Sequence, residues 1–293
     1  MEHGAGSEDT AEDGEGGAGE GRGYVSLCSL YQGLKMEVFS GFGTGCPEEA
    51  EGQGGGRMGY IDMHSHILPG MDDGSRSMSQ TLRMLEIAVS EGITAMIATP
   101  HNMPGKGCPP GSVVRRKVNE LKHAAEQEGI RMEIVAGTEY YYREEVLDIL
   151  ENGDGIPLGN SDCVLVEFEP LAEKNYIRNA LRNILGLGYR PIIAHVERYV
   201  KLMEDTSVLY DMRKNGILVQ VNAMSVTGDN GRQAKKDVRG LLKKGMVDFV
   251  ATDAHSDGRR APFMRKCADV LYKKCGAEYA DRLLFGNAEA FLL

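Results

Sequence analysis

From Tyr60 onward, short apolar runs alternate with stretches of helical period. The runs cover 60–64, 94–99, 132–137, 163–168, 191–195, 217–222 and 247–252. Between them lie segments such as "SQTLRMLEIAVSEG", "VVRRKVNELKHAAEQEG", "REEVLDILENG" and "NYIRNALRNILGLG". All four close on glycine, a usual helix stop. Seven strands, each followed by a helix, predict right-handed βα units on a parallel sheet, hence an α/β fold. The length from 58 to 293 suits a closed TIM-like barrel better than two domains. An open doubly wound sheet is the alternative.

The first 57 residues break this pattern. They hold eleven of the 43 acidic residues, three of the 33 basic ones and 16 of the 38 glycines. Such a stretch buries too little apolar surface to offset chain entropy, so residues 1–23 and 43–57 are expected to be disordered. Residues 24–42 are more apolar but too short to fold alone. The segment 1–57 therefore reads as an acidic Gly-rich extension and 58–293 as the functional domain. Met58 is expected to be the natural start, because "MGYIDMHSH" enters a strand at once.

The formal net charge of −10 disfavours a nucleic-acid surface or a polybasic membrane patch. Six cysteines show no C-x-x-C pair, and no apolar run approaches the ~18 residues of a membrane span. The expectation is a cytoplasmic, reduced, soluble protein.

Polar residues stand at the strand ends. His64 and His66 close the first run, His101 follows the second, and Glu139 and Glu167 close the third and fourth. His195 ends the fifth, and Asp253 and His255 end the seventh. In a parallel barrel those ends share one rim, where barrel enzymes place their chemistry. Residues two apart share a strand face about 6.6 Å apart, so His64/His66 and Asp253/His255 each offer two groups to one cavity. A single histidine of this kind would read as a hydrogen-bonded core or surface residue. Five of the seven at strand ends, with acids beside them, point to a metal site. Pro69-Gly70 turns the chain over the rim so that Asp72 or Asp73 swings back, the other serving as a turn or cap residue. Nine candidate ligands exceed what one ion needs, so two or three are expected. The absence of thiolates favours a catalytic Mn, Fe, Zn or Mg site over a structural zinc.

The motifs "IDMHSHILPGMDDG", "ATPHN", "GTEYYY", "LVEFEP", "AHVERY" and "TDAHSDGRRAPFM" resemble, in order, those of the polymerase and histidinol phosphatase (PHP) superfamily. Within it they are similar to the manganese-dependent protein-tyrosine phosphatases of the capsular-polysaccharide (CpsB/CapC) type. The resemblance implies a distorted (β/α)7 barrel with a three-metal centre. It assigns His64, His66, Glu139 and Asp253 to one metal, Glu139, Glu167 and His195 to a second, and Asp73, His101 and His255 to a third. Glu169 shares the strand face of Glu167 and competes with it. "GTEYYY" and the extra arginine of "SDGRRAPFM" depart from the family pattern, so Arg259 competes with Arg260.

Arg198 and Arg260 are the expected phosphate clamps, since a guanidinium fork matches phosphoryl oxygens. Tyr140, Tyr141, Tyr142 and Tyr176 either line an aromatic slot or pack. No cysteine has the arginine six positions on that a cysteine-dependent tyrosine phosphatase needs. "GEGGAG" at 14–19 follows no strand and binds no dinucleotide. The implied activity is phosphotyrosine hydrolysis on a bacterial tyrosine kinase that regulates capsule or exopolysaccharide synthesis. The alternatives are a small-molecule phosphatase of the histidinol-phosphate type and a non-catalytic, metal-stabilised kinase-binding protein. Peptide mapping of the native protein should yield no tryptic fragment from before Met58; reproducible fragments from that region would refute the assigned start.

Overall fold

The computed structural model describes residues 59–293 apart from residue 106. The expectations for residues 1–57 and for Met58 lie outside the described residues. β1 (Tyr60–Ser65) pairs with β2 (Ile93–Ala98), and β2 with β4 (Glu133–Ala136). A second sheet runs in order through β3 (His101–Asn102), β5 (Glu139–Tyr141), β6 (Cys163–Glu167), β7 (Arg190–Ile193), β8 (Leu218–Asn222) and β9 (Phe249–Ala251). Every pairing between these strands is parallel.

β3 prolongs β2, and β5 prolongs β4, so the nine pieces follow the seven predicted paths. Pro100 interrupts the first because it has no N–H for the ladder, while its carbonyl accepts the Glu139 N–H at 3.2 Å. Gly137 interrupts the second. A Cβ there would lie 2.7 Å from Leu158 and 2.9 Å from Ile97, so only glycine lets the chain pass.

The helices bury the faces that their periodicity predicts. Met78–Ser90 turns Thr81, Met84, Leu85 and Ala88 inward, and Ser77 caps it by accepting the Gln80 N–H. Gly111–Gln127 buries Val114, Val118, Leu121 and Ala125, and Lys174–Gly186 buries Ile177, Ala180, Leu181 and Ile184. Each Val, Leu, Ile or Met among them contributes about 1.5–3 kcal/mol of burial. A second, smaller apolar cluster joins strand residues such as Ile61, Ile97, Leu165, Ile192 and Phe249 to Ala288 and Leu292 of the C-terminal helix. This is the barrel interior with its floor. Among the described residues, no helix is long and apolar enough to cross a membrane, and four cysteines are free.

The result is a distorted TIM-like barrel. No continuous ladder joins β9 to β1. Instead the Asp253 N–H donates to the His64 carbonyl at 2.9 Å and the His66 N–H to the Ala254 carbonyl at 2.8 Å. Below them the buried Asp62 carboxylate accepts both the Thr252 N–H, at 2.9 Å, and the Thr252 hydroxyl. Burial pushes the Asp62 pKa up to about 6 against the Thr252 hydrogen bonds, which pull it down. A side chain thus reinforces a seam that the backbone bridges only near the rim. Asp62→Ala should lower unfolding free energy by about 1–3 kcal/mol, because Thr252 loses its buried acceptor. Urea melts with an unchanged midpoint would count against this.

Candidate metal centre and phosphate mouth

Strand alternation alone does not aim the rim. On β6 the interior parity passes through Cys163 and Leu165 to Glu167, and on β9 through Phe249 and Ala251 to Asp253. On β7, Ile192 and Ala194 face the interior, which would turn His195 away. His195 instead takes a left-handed backbone, φ 31°, and Asp253 takes φ 54°. Among the described residues these are the only non-glycine positions at positive φ. Such conformations cost about 1–3 kcal/mol each and persist where surrounding structure enforces them. On β1, where no residue is left-handed, a register irregularity between Asp62 and Ser65 accompanies the inward aim of His64 and His66.

The side chains then converge. His64 Nε2 and His66 Nε2 lie 3.2 Å apart, and each is 3.2 Å from Glu139 Oε2. Asp253 Oδ1 stands 3.6 and 3.5 Å from them. His195 Nε2 is 3.0 Å from Glu139 Oε1 and 3.4 Å from Glu167 Oε1. His101 Nδ1 is 3.1 Å from Glu139 Oε2 and 3.7 Å from Glu167 Oε2. On the outer side, Asp73 Oδ1 lies 3.5 Å from both His101 Nε2 and His255 Nε2. All nine predicted ligands therefore belong to one cluster. They form four overlapping groups able to hold a metal ion, with donor atoms in each group within 4.8 Å of one another.

These spacings suit cations. Donors about 2.1 Å from a metal stand about 3.0 Å apart on an octahedron and about 3.4 Å apart on a tetrahedron. Glu139 Oε2 and His101 Nδ1 are buried without a hydrogen-bond partner, although they face each other. Leaving such atoms unpartnered is costly unless a cation takes their lone pairs. The charges agree. Burial raises the Glu139 pKa, but His64, His195 and His66 outweigh it and hold the carboxyl well below its usual range. Burial, and then Glu139 itself, push Glu167 up to about 8. Burial also lowers His101 and His195, and takes His255 down to about 3, so three rings stay neutral, as ligands must be.

The residues that the sequence leaves in competition are placed differently. Asp72 Oδ2 accepts from His66 Nδ1 at 2.7 Å and from the His101 N–H at 3.0 Å, and Oδ1 accepts the Gly74 N–H. Asp72 orients two rings, while Asp73 faces the cluster. Glu167 lies in the cluster, and Glu169 is exposed. Arg260 Nη2 donates to Asp253 Oδ2 at 3.0 Å, whereas Arg259 is exposed. Arg198 Nη1 lies 3.5 Å from Glu167 Oε1 and 3.3 Å from His195 Nε2. Arg198, Arg260 and Asp253 border one cavity of about 600 Å³. Tyr142 and Tyr176 pack with Phe168 at ring distances of 5.5 and 6.3 Å, and Tyr140 is buried, bonded through its hydroxyl to Ile156. Tyr141 lies under Arg143.

Two supporting residues escaped sequence reasoning. Gln220 Oε1 accepts the His195 N–H at 2.6 Å and faces His64 Nδ1 at 3.3 Å, while its Nε2 donates to Asn222 Oδ1. Asn222 Nδ2 donates to Asp253 Oδ2 at 2.9 Å, and its N–H to buried Glu197. The signal was present in "LVQVN", two polar residues spaced two apart in an otherwise apolar run.

The model of the CpsB/CapC family, described as capsular polysaccharide synthesis, matches residues 60–293. The chain belongs to that family. It is 30% identical over 237 residues to the tyrosine-protein phosphatase CpsB of Streptococcus agalactiae serotype III, covering 79% of this chain and 98% of that protein. It is 32% identical over 232 residues to the tyrosine-protein phosphatase YwqE of Bacillus subtilis, covering 79% and 91%. A crystal structure from a study of B. subtilis YwqE and Streptococcus pneumoniae CpsB superposes with a TM-score of 0.75 at 32% identity, covering 79% of this chain and 94% of that one. Those two proteins are described as unique metal-dependent tyrosine phosphatases. Histidinol phosphate phosphatase of Lactococcus lactis, at 14% identity, 73% and 93% coverage and a TM-score of 0.51, shares the fold alone.

Gln220→Ala should destabilise the chelator-treated protein by about 1–3 kcal/mol, because the left-handed His195 N–H loses its buried acceptor. An unchanged denaturation midpoint would show that the strain is held elsewhere.

Proposed function

We propose that the chain is a metal-dependent protein-tyrosine phosphatase, with residues 58–293 as its catalytic domain. The cations are held by His64, His66, Asp73, His101, Glu139, Glu167, His195, Asp253 and His255. The observation that carries this reading is the ligand-like spacing of buried donor atoms, with Glu139 Oε2 and His101 Nδ1 unpartnered at its heart. Two or three divalent ions per chain fit the donor number. Nitrogen and oxygen donors without thiolate fit Mn, Fe, Zn or Mg, and the resemblance to the manganese-dependent phosphatases favours Mn2+ among them.

Bound cations supply Lewis acidity and positive charge at the phosphoryl group. The chain's own residues do the rest. Asp72 and Gln220 fix the ring orientation of His66 and His64, the outer support that metal-bound imidazoles require. Arg198 and Arg260, at the cavity beside Asp253, hold the phosphoryl oxygens. A tyrosyl leaving group, with a pKa near ~10, departs with less acid assistance than a serine alkoxide needs. The relatives named as tyrosine-protein phosphatases support phosphotyrosine as the substrate, and the family's link to capsular polysaccharide synthesis supports a bacterial tyrosine kinase as partner. The setting is cytoplasmic, where the free cysteines stay reduced.

His64→Ala and Asp253→Ala should each abolish hydrolysis of a phosphotyrosyl peptide, as should chelation, with activity of the wild type restored by Mn2+. Full activity of either variant, alongside elemental analysis, would remove the assigned centre. Asp72→Ala should weaken metal binding by about 10- to 100-fold while the fold persists, read by metal titration and circular dichroism.

A further inference from the structure

We propose that the trough beside the centre binds the peptide flanking a phosphotyrosine, and that Arg259 selects segments carrying an acidic side chain there. The inference rests on the phosphotyrosine reading above and names the substrate class within it.

The loop after β9 is tight. The His255 and Ser256 N–H groups both donate to the Arg260 carbonyl, at 2.9 and 3.2 Å, and the Ala261 N–H to Gly258. It fixes two consecutive arginines with different tasks. Arg260 turns to Asp253, while Arg259 has no hydrogen bond or ion pair among the described residues. Arg259 lines two cavities. One, of about 600 Å³, reaches Arg198 and Asp253, and the other, of about 290 Å³, reaches Phe263 and Lys266. Met224, Asp229 and Arg259 border both, so the two cavities adjoin across these side chains and together make up the trough.

The other cations along it each have an internal partner, and Arg198 and Arg260 are also assigned to the phosphoryl oxygens. Lys266 pairs with Asp229 at 3.0 Å, Arg260 with Asp253 at 3.0 Å, and Arg198 with Glu167 at 3.5 Å. Among the described residues that line it, Arg259 is the cation without an internal partner. A tyrosyl ring holds its backbone a ring's length from phosphorus, so neighbouring side chains fall along the trough walls. Met224 and half-exposed Phe263 offer apolar contact to the main chain, and Arg259 offers its guanidinium to a carboxylate. An acidic flank is the occupant that this charge complements.

The test uses the metal-loaded full chain on phosphotyrosyl peptides that differ only in Glu, Gln or Lys at the flanking positions. The Glu peptide should exceed the Gln peptide by about 3- to 5-fold in kcat/KM, mainly through KM, and the gap should shrink with added salt. Arg259→Gln should erase the preference, and Arg259→Glu should reverse the order of the Glu and Lys peptides. A wild-type Glu-to-Gln ratio near one, or a ratio that Arg259→Glu leaves intact, overturns the proposal. Should Arg259→Glu not fold, the wild-type series and Arg259→Gln decide alone. Wild-type turnover of p-nitrophenyl phosphate separates the two readings. Its absence sinks the phosphatase itself, while its presence with a flat peptide series sinks only the trough.

Discussion

Glu139 and Glu167 share one donor group with His101, Asp253 shares another with His64 and His66 and acts electrostatically on both glutamates, and Glu139 at the centre is fully buried. Charges of one sign held this close in a low-dielectric site repel strongly unless positive charge lies among them. The opposite pulls on the two glutamates express that repulsion: Glu139 is held ionised by its surrounding rings, and Glu167 is pushed towards its neutral form by burial and by Glu139. Protons on His64 and His66 can balance part of the charge, since both rings sit above their ordinary pKa despite burial. Divalent cations balance it more completely, because they also satisfy the lone pairs that protons leave unpartnered. The rim's geometry is the consequence of collecting these donors.

Collecting them requires breaking the regularity of the strands. A parallel barrel with perfect alternation would deliver Glu167 and Asp253 to the interior and turn His195 towards the helices. The left-handed residue at 195 and the irregularity in β1 are the local concessions, and Asp253 leaves the extended backbone as well. Each is held by specific bonds. Gln220 grips the His195 N–H, the His64 carbonyl grips the Asp253 N–H, and Asp62 fastens Thr252 immediately below. The open seam and the strained site are thus one feature. The left-handed turn at Asp253 falls just past the end of β9, where the ladder to β1 is already broken.

Much of this was legible in the sequence, and what was not has physical reasons. The seven strand paths follow from apolar runs bounded by helix-period segments, which depend on burial and period alone. The nine clustered residues follow from titratable groups placed at strand ends, a pattern that survives any detail of the backbone. The splitting of the second and third paths was missed because Pro100 and Gly137 read as the ends of strands, not as interruptions. Asp72 and Asp73 could not be separated by spacing, since adjacent residues differ only in which way the turn aims them. Glu167 and Glu169 share a strand face, so only the end of β6 at Glu167 decides between them.

Gln220 and Asn222 were missed for a different reason, and it bears on how the centre works. β8 contributes no clustered donor, so its two buried amides looked like ordinary polar insertions in an apolar strand. Yet a Gln–Asn pair is what a strained cluster needs beside it. Amides do not titrate, so their hydrogen-bond polarity stays fixed whatever charge state the neighbouring glutamates and imidazoles adopt. Gln220 presents an acceptor to two histidine residues, and Asn222 presents a donor to Asp253. A carboxylate at either position would add to the excess negative charge, and an aliphatic side chain would abandon His195 in a conformation it would not otherwise keep. The strand without ligands is what allows the ligands of its neighbours to stay aimed while charge at the mouth changes.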